Sequence, residues 1–313
     1  MSSFSRLSDI FHADYTQKCL EEIKIQCKLI LPICATFILR KSIDIVSVIF
    51  VGLLGPRYLS ASGLATVTAN VTGNSLIIGF AGALSTQCSQ LLSTKNDNII
   101  NTLLLRAICI IVVIVNLPVS LMWLLSQPIL LALGQSQLLA TDASLFLKYL
   151  IPGLLFFSMS ICIQNWLHSQ SKTKLVLFVT VIVAIIHPIN CYVFVFTFKL
   201  GYLGAAIASS VSKFIEFICL FSLLLSYTSF SFRGIIVGQL WKEWLPFLAL
   251  GLPGLVMMSE WWASEIIIFL SGLLADPELK VSTMAIYQNT LSICYMVPNG
   301  KLIFLYVSMQ LCY

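Results

Sequence analysis

Eight long apolar runs, at 29–53, 63–92, 100–125, 143–167, 174–197, 202–227, 246–274 and 280–307, make up most of the chain. Each holds the ~20 predominantly apolar residues that an α-helix needs to cross a bilayer. Inside hydrocarbon every backbone N–H and C=O must find its partner within the protein, and a helix achieves this within one segment. The runs therefore predict an all-α, polytopic membrane protein with about eight transmembrane helices. Composition leaves little room for another class. Of the residues, 58% are hydrophobic and 10% charged, against about 25% charged in a typical soluble domain. Pro152, Pro188, Pro253 and Pro298 fall inside runs, where membrane helices tolerate proline.

Orientation follows from the basic residues. With the N-terminus inside, the inner segments carry Arg6, Lys18, Lys24, Lys28, Lys95, Lys172, Lys174, Arg233 and Lys242, and the outer loops carry Arg57, Lys199 and Lys280. Positive charge concentrates on the cytoplasmic side of membrane proteins, so a cytoplasmic N-terminus is expected. The net charge of +5 then reports loop asymmetry and not affinity for nucleic acid. Residues 1–28 read as a polar cytoplasmic tail without the apolar core of a cleavable signal peptide. The ten cysteines show no CxxC or other zinc spacing and read as small buried residues or free thiols.

The chain also repeats itself. Laying residue n on n+220 places Gly52-Leu53-Leu54 on Gly272-Leu273-Leu274, Leu59 on Leu279, Ser62 on Ser282 and Ala65 on Ala285. Six runs separate the two copies, an even number, so both have the same orientation. Such a repeat implies two six-helix lobes related by an axis along the membrane normal. The expected organisation is a six-helix N-terminal lobe over 29–227, an inter-lobe linker over 228–245, and the first hairpin of an incomplete C-terminal lobe over 246–307.

The seventh run carries the clearest chemistry. Glu260 and Glu265 lie in the middle of 246–274, beside Trp261 and Trp262. An acidic side chain at bilayer depth costs about 2.5–3.5 kcal/mol on insertion scales, and by default it marks a functional site. A carboxyl group out of water holds either a proton or a cation, and indole faces attract cations. The pairing suggests proton-coupled export of organic cations. Spacing i,i+5 sets the two acids about 140° apart around a helix, so one can face a cavity while the other bonds a neighbouring helix. Adjacent Trp261 and Trp262 point about 100° apart, leaving room for one of them at a ligand.

Several segments carry a family resemblance: GLLGPRYLSASGLA, NVTGNSLIIGFAGALSTQCSQLL, IPGLL with NWLHSQ, LGYLGAAIASSVS, and GLP…EWWASE…LSGLL…YMVPNG. In this order and spacing they resemble the multidrug and toxin extrusion (MATE) transporters, nearest the animal branch, over about residues 24–300. The resemblance implies exchange of protons, or in some branches sodium, for organic cations and drug-like compounds by alternating access, with protons the expected coupling ion here and no cofactor. It implies that Glu260 and Glu265 take part in cation binding and proton coupling. A full protein of this design has about twelve spans, so a chain truncated after the eighth is expected. Residues 301–313, KLIFLYVSMQLCY, depart from the family's continuation. Gln288 departs too: it follows Tyr287 where the animal branch has a glutamate, and it can hydrogen-bond but not carry the proton.

The remaining candidates have both packing and functional readings. Asn70 and Asn74 lie one turn apart on one face, as interhelical glue or cavity lining; Gln164 has the same two readings, and Tyr287 is either a substrate contact or packing. Asp44 stands i+4 from Arg40 and i+3 from Lys41 and pairs with either, which favours a snorkelling pair over a charge that tunes the cavity. Lys213 and Glu216 form an i,i+3 pair that reads as structural. His187, before Pro188, reads as a packed hydrogen-bonder, with a proton relay as the alternative. No phosphate loop, HExxH or GxGxxG occurs in the sequence, so an enzyme is not expected. The partners expected are small organic cations and the bilayer, with the plasma membrane as location. Two rivals stand beside export: a non-transporting membrane fragment, and a lipid-linked sugar flippase, which the EWW segment disfavours.

Overall fold

The computed structural model describes residues 31–91, 97–228, 230, 237–274, 276, 279–288, 290 and 291. Among them the chain is helical, with no strand. Seven long helices and a shorter eighth follow one another: α1 over 31–52, α2 Pro56–Leu91, α3 from Asp97 to Leu124, α4 Gln137–Ser169, α5 Thr173–Thr197, α6 Tyr202–Tyr227, α7 Trp244–Ser271 and α8 over 279–288. Helices α2 to α6 each have the length and apolarity to cross a membrane. The expected tail over 1–28 and the 301–313 segment lie outside the described residues.

Two helices start six or more residues before their apolar runs. α2 begins at Pro56 and not at 63. Gly55 turns the chain at φ +115, a conformation open to glycine, and Pro56 then occupies the first helical position, where its missing N–H costs nothing. The polar residues that hide this start are satisfied locally: Ser60 Oγ donates to the Arg57 carbonyl at 2.8 Å and Ser62 Oγ to that of Leu59 at 3.0 Å. α4 begins at Gln137 and not at 143 because Ser136 caps it, its Oγ accepting from the Leu139 N–H at 3.4 Å. The stretch before it, between the third and fourth apolar runs, holds a short helix, Ser126–Ala132.

α4 is the central post. It packs along α6 and α2, and its buried face includes Leu147, Leu154, Ile163, Trp166 and Leu167. Pro152 sits inside it, and one turn earlier the Tyr149 carbonyl accepts a hydrogen bond from Ser210 Oγ of α6 at 2.8 Å. Neighbouring serines take up backbone groups near membrane prolines in this way. α7 docks on α2 through glycine. A Cβ on Gly254 would stand 2.6 Å from the Gly79 carbonyl oxygen, and one on Gly251 would stand 2.6 Å from the Phe80 ring. Small residues allow such close backbone approach where no hydrophobic effect drives helices together.

Candidate functional site

The α1–α4–α6 junction holds a buried carboxylate. Glu216 of α6, 3% exposed, accepts from Arg40 Nη2 of α1 at 2.6 Å and from Gln164 Nε2 of α4 at 3.2 Å. Lys213 Nζ stands 3.9 Å from its other oxygen and 4.9 Å above the centre of the Phe157 ring. Of the two bases expected within reach of Asp44, Lys41 is the one that takes it. Arg40 reaches across to Glu216 and not along its own helix; Lys41 takes Asp44, at 3.9 Å. The physical reason is burial. Asp44 is 58% exposed, while the side chain of Glu216 is 4% exposed, and an acid withdrawn from solvent is stable only with a well-placed cation and further hydrogen bonds. Gln164 therefore works as an interhelical bond to that acid. The i,i+3 pairing of Lys213 with Glu216 holds, but Arg40 is the closer partner.

One helix away, His187 is fully buried, with a hydroxyl at each ring nitrogen: Ser47 Oγ of α1 at 2.8 Å from Nε2, and Ser212 Oγ of α6 at 2.8 Å from Nδ1. Asn190 donates to Ser212 at 3.3 Å. Sequence reasoning reached His187 as a packed hydrogen-bonder but missed Ser47 and Ser212. Their signal is faint, since serines recur throughout these runs.

The NVTG segment is a π-helical turn, Asn70–Asn74, inside α2, and such bulges often mark functional positions. Asn74 Nδ2 donates to Asn70 Oδ1 at 3.0 Å. Thr72 Oγ1 accepts the indole N–H of Trp123 from α3 at 3.0 Å, and a Cβ on Gly73 would lie 2.7 Å from that indole ring. The motif is thus a seat for Trp123: threonine receives its polar edge and glycine clears space for its ring. The bond between Asn70 and Asn74 runs within α2 rather than between helices.

In the second part of the chain, positions 260, 261 and 265 are helical in α7, while the side chains of Glu260, Trp261 and Glu265 lie outside the described residues. Helical register still separates them. Position 265 falls in register with Gly251 and Gly254, which meet Phe80 and Gly79 of α2; position 260 falls in register with exposed Val256 and Met257. Trp262 is half-buried, and its indole N–H is buried without a hydrogen-bond partner among the described residues. On α8, Tyr287 is exposed and Gln288 half-buried.

Comparisons with known proteins match this architecture. The MatE family model matches residues 32–193, just over half of the chain. Protein DETOXIFICATION 16 of Arabidopsis thaliana is 33% identical over 288 residues, covering 90% of this chain and 58% of that protein. Protein DETOXIFICATION 18 of the same plant is 33% identical over 300 residues, covering 91% and 62%. A crystal structure of the eukaryotic MATE transporter AtDTX14 superposes with a TM-score of 0.78 at 30% identity, over 88% of this chain and 62% of that one. The chain spans about three fifths of the length of these relatives.

Proposed function

The chain belongs to the MATE family of multidrug and toxin extrusion transporters, and from that membership we propose that it works as a secondary antiporter, exporting small organic cations and drug-like compounds in exchange for protons by alternating access. Family members are transporters and not enzymes, and this chain is a multi-pass membrane protein. The proposal adds the coupling ion, the substrate class, the site on α7, a cytoplasmic N-terminus and the plasma membrane, and assigns 29–227 to one lobe and 246–307 to the start of another.

One observation carries it. Among the described side chains, each carboxylate within α1 to α6 is paired with a base: Asp44 with Lys41, Asp142 with Arg57, and Glu216 with Arg40 and Lys213. Such acids are committed. The 246–274 run has two glutamates and no lysine or arginine, so Glu260 and Glu265 have no base in their own segment to hold them ionised. A carboxyl group in that position exchanges one positive charge for another, a proton for a cation, which is the elementary step of antiport. Protonation from the acidic side then displaces the cation outward.

The test is uptake of a fluorescent organic cation into vesicles reconstituted with the chain, under an imposed pH gradient or an imposed sodium gradient. The expected result is uptake that follows the pH gradient and is abolished by Glu260→Gln with Glu265→Gln. Uptake that survives both substitutions refutes the assignment. A chain that moves nothing, beside an active relative reconstituted in parallel, favours a non-transporting membrane protein.

A further inference from the structure

Among the described residues, the charges at the α1–α4–α6 junction do not balance. Arg40 and Lys213 bring two positive charges and Glu216 one negative. Asp44, the acid of α1, stands 3.9 Å from Lys41, a base of its own, and lies 58% exposed. Gln164 adds a neutral donor to the oxygen that Arg40 already holds.

The geometry leaves donors over as well as charge. A guanidinium and a carboxylate usually meet as two parallel hydrogen bonds. Here Arg40 gives Glu216 its Nη2 only, and its Nε–H is buried without a partner among the described residues. Lys213 Nζ, at 3.9 Å, stands beyond hydrogen-bonding distance of Glu216, and its side chain is 32% exposed, so the cluster is open on the Lys213 side of the described helices. His168 Nδ1, on the same α4 face one turn from Gln164, is also buried without a partner. An uncompensated cation within a membrane is expensive, and one monovalent anion removes the excess charge and meets the Arg40 Nε–H.

We propose that this cluster is a binding site for a monovalent anionic group, a small organic carboxylate or a halide, held between Arg40 and Lys213, with Glu216 as its resident competitor. The site is opposite in sign to the one proposed on α7 and does not depend on it.

The test uses the purified 313-residue chain in neutral detergent, following its thermal unfolding midpoint against benzoate, the neutral isostere benzamide, and chloride. Benzoate is expected to raise the midpoint saturably and benzamide to leave it unchanged. Arg40→Gln and Lys213→Gln should each raise the half-saturating benzoate concentration at least five-fold. Glu216→Gln, which removes the competitor, should lower it at least five-fold; general damage to the fold has no reason to tighten binding. Chloride acting like benzoate identifies a simple halide site, and inert chloride identifies an organic carboxylate; both outcomes support the proposal. It is overturned if neither anion acts saturably on the native chain and on Glu216→Gln, or if Glu216→Gln weakens binding as Arg40→Gln does. Should Glu216→Gln fail to unfold cooperatively, Lys213→Gln decides, since its side chain is partly exposed: an unchanged half-saturation there overturns the proposal.

Discussion

Helices α6 and α7 both carry glutamates within apolar runs, and the two sets are provided for differently. Glu216 is enclosed by a guanidinium, an ammonium and an amide drawn from three helices. Glu260 and Glu265 belong to a run without a basic residue, on a helix that approaches α2 through glycine. An acid in a membrane is therefore no single signal. With a base built beside it, as at Glu216, it ties helices together; on the proposal made for α7, an acid with no base in its own run is the one left to exchange a proton for a cation.

That contrast breaks most easily at Glu216. Glu216→Ala strands Arg40 and Lys213, and losing one partner of a buried ion pair costs about 3–5 kcal/mol. Thermal unfolding in detergent should show a loss of that size, and joint replacement of Arg40 and Glu216 by methionine should recover most of it, because apolar residues of similar volume commonly substitute for a buried pair without loss. Glu260→Gln should cost less than about 1 kcal/mol, the range of most single interhelical contacts in membranes. If Glu260→Gln proves as damaging as Glu216→Ala, Glu260 is itself a structural tie and the distinction between the two helices is lost.

A middle-sized effect sharpens the comparison from the side of α7, whose placement depends on how closely α2 lets it approach. A Cβ on Gly79 would meet Leu255 Cδ2 at 2.5 Å and the Leu255 backbone N at 3.0 Å. The side chain has some freedom to rotate away, but the backbone does not. Gly79→Ala is expected to destabilise by about 1–3 kcal/mol, as overpacking does, and to reduce cation uptake by moving α7. Gly82, on the same helix, has nothing within 4 Å of its would-be Cβ. Gly82→Ala should be neutral, or stabilising by up to about 1 kcal/mol from helix propensity, with uptake intact. Equal effects at the two glycines would mean that the α2–α7 crossing is not what positions the acids.

The helices themselves were legible because hydropathy reports directly on the energy of leaving water, which decides whether a segment enters a bilayer. Their starts were less so. Pro56 and Gln137 open helices among polar residues, and there capping and turn chemistry decide, which a window of apolarity does not register. Partner choice was least legible. Arg40 has Asp44 at i+4, an ordinary helical partner, and nothing local says that an acid far along the chain will be drier and nearer. Glu216 did carry the signal used for Glu260, a carboxylate amid apolar residues, but Lys213 three positions away gave it a local explanation that concealed the contact to α1. Gly73 shows the opposite case: NVTG was conspicuous in sequence, yet its role as a seat for Trp123 needed α3 in place.

The smallest effect tests the division of labour between two adjacent bases. Arg40 and Lys41 are neighbours, both within helical reach of Asp44, and only burial separates their roles: Lys41 serves an acid that is 58% exposed, Arg40 one that is 4% exposed. An exposed ion pair contributes about 0–1 kcal/mol, because solvent already screens it and two long side chains lose freedom to hold it. Lys41→Gln and Asp44→Asn should therefore each shift stability by less than about 1 kcal/mol, and their double substitution should show coupling of about 0.5 kcal/mol or less. Arg40→Gln, measured in the same preparation, should cost several times more, since it leaves Glu216 with the Gln164 amide and, as its one nearby base, the more distant Lys213. If the order reverses, with Lys41 costly and Arg40 free, then Asp44 is the acid that organises α1, and Glu216 loses its place as the fixed counterpart to the acids of α7.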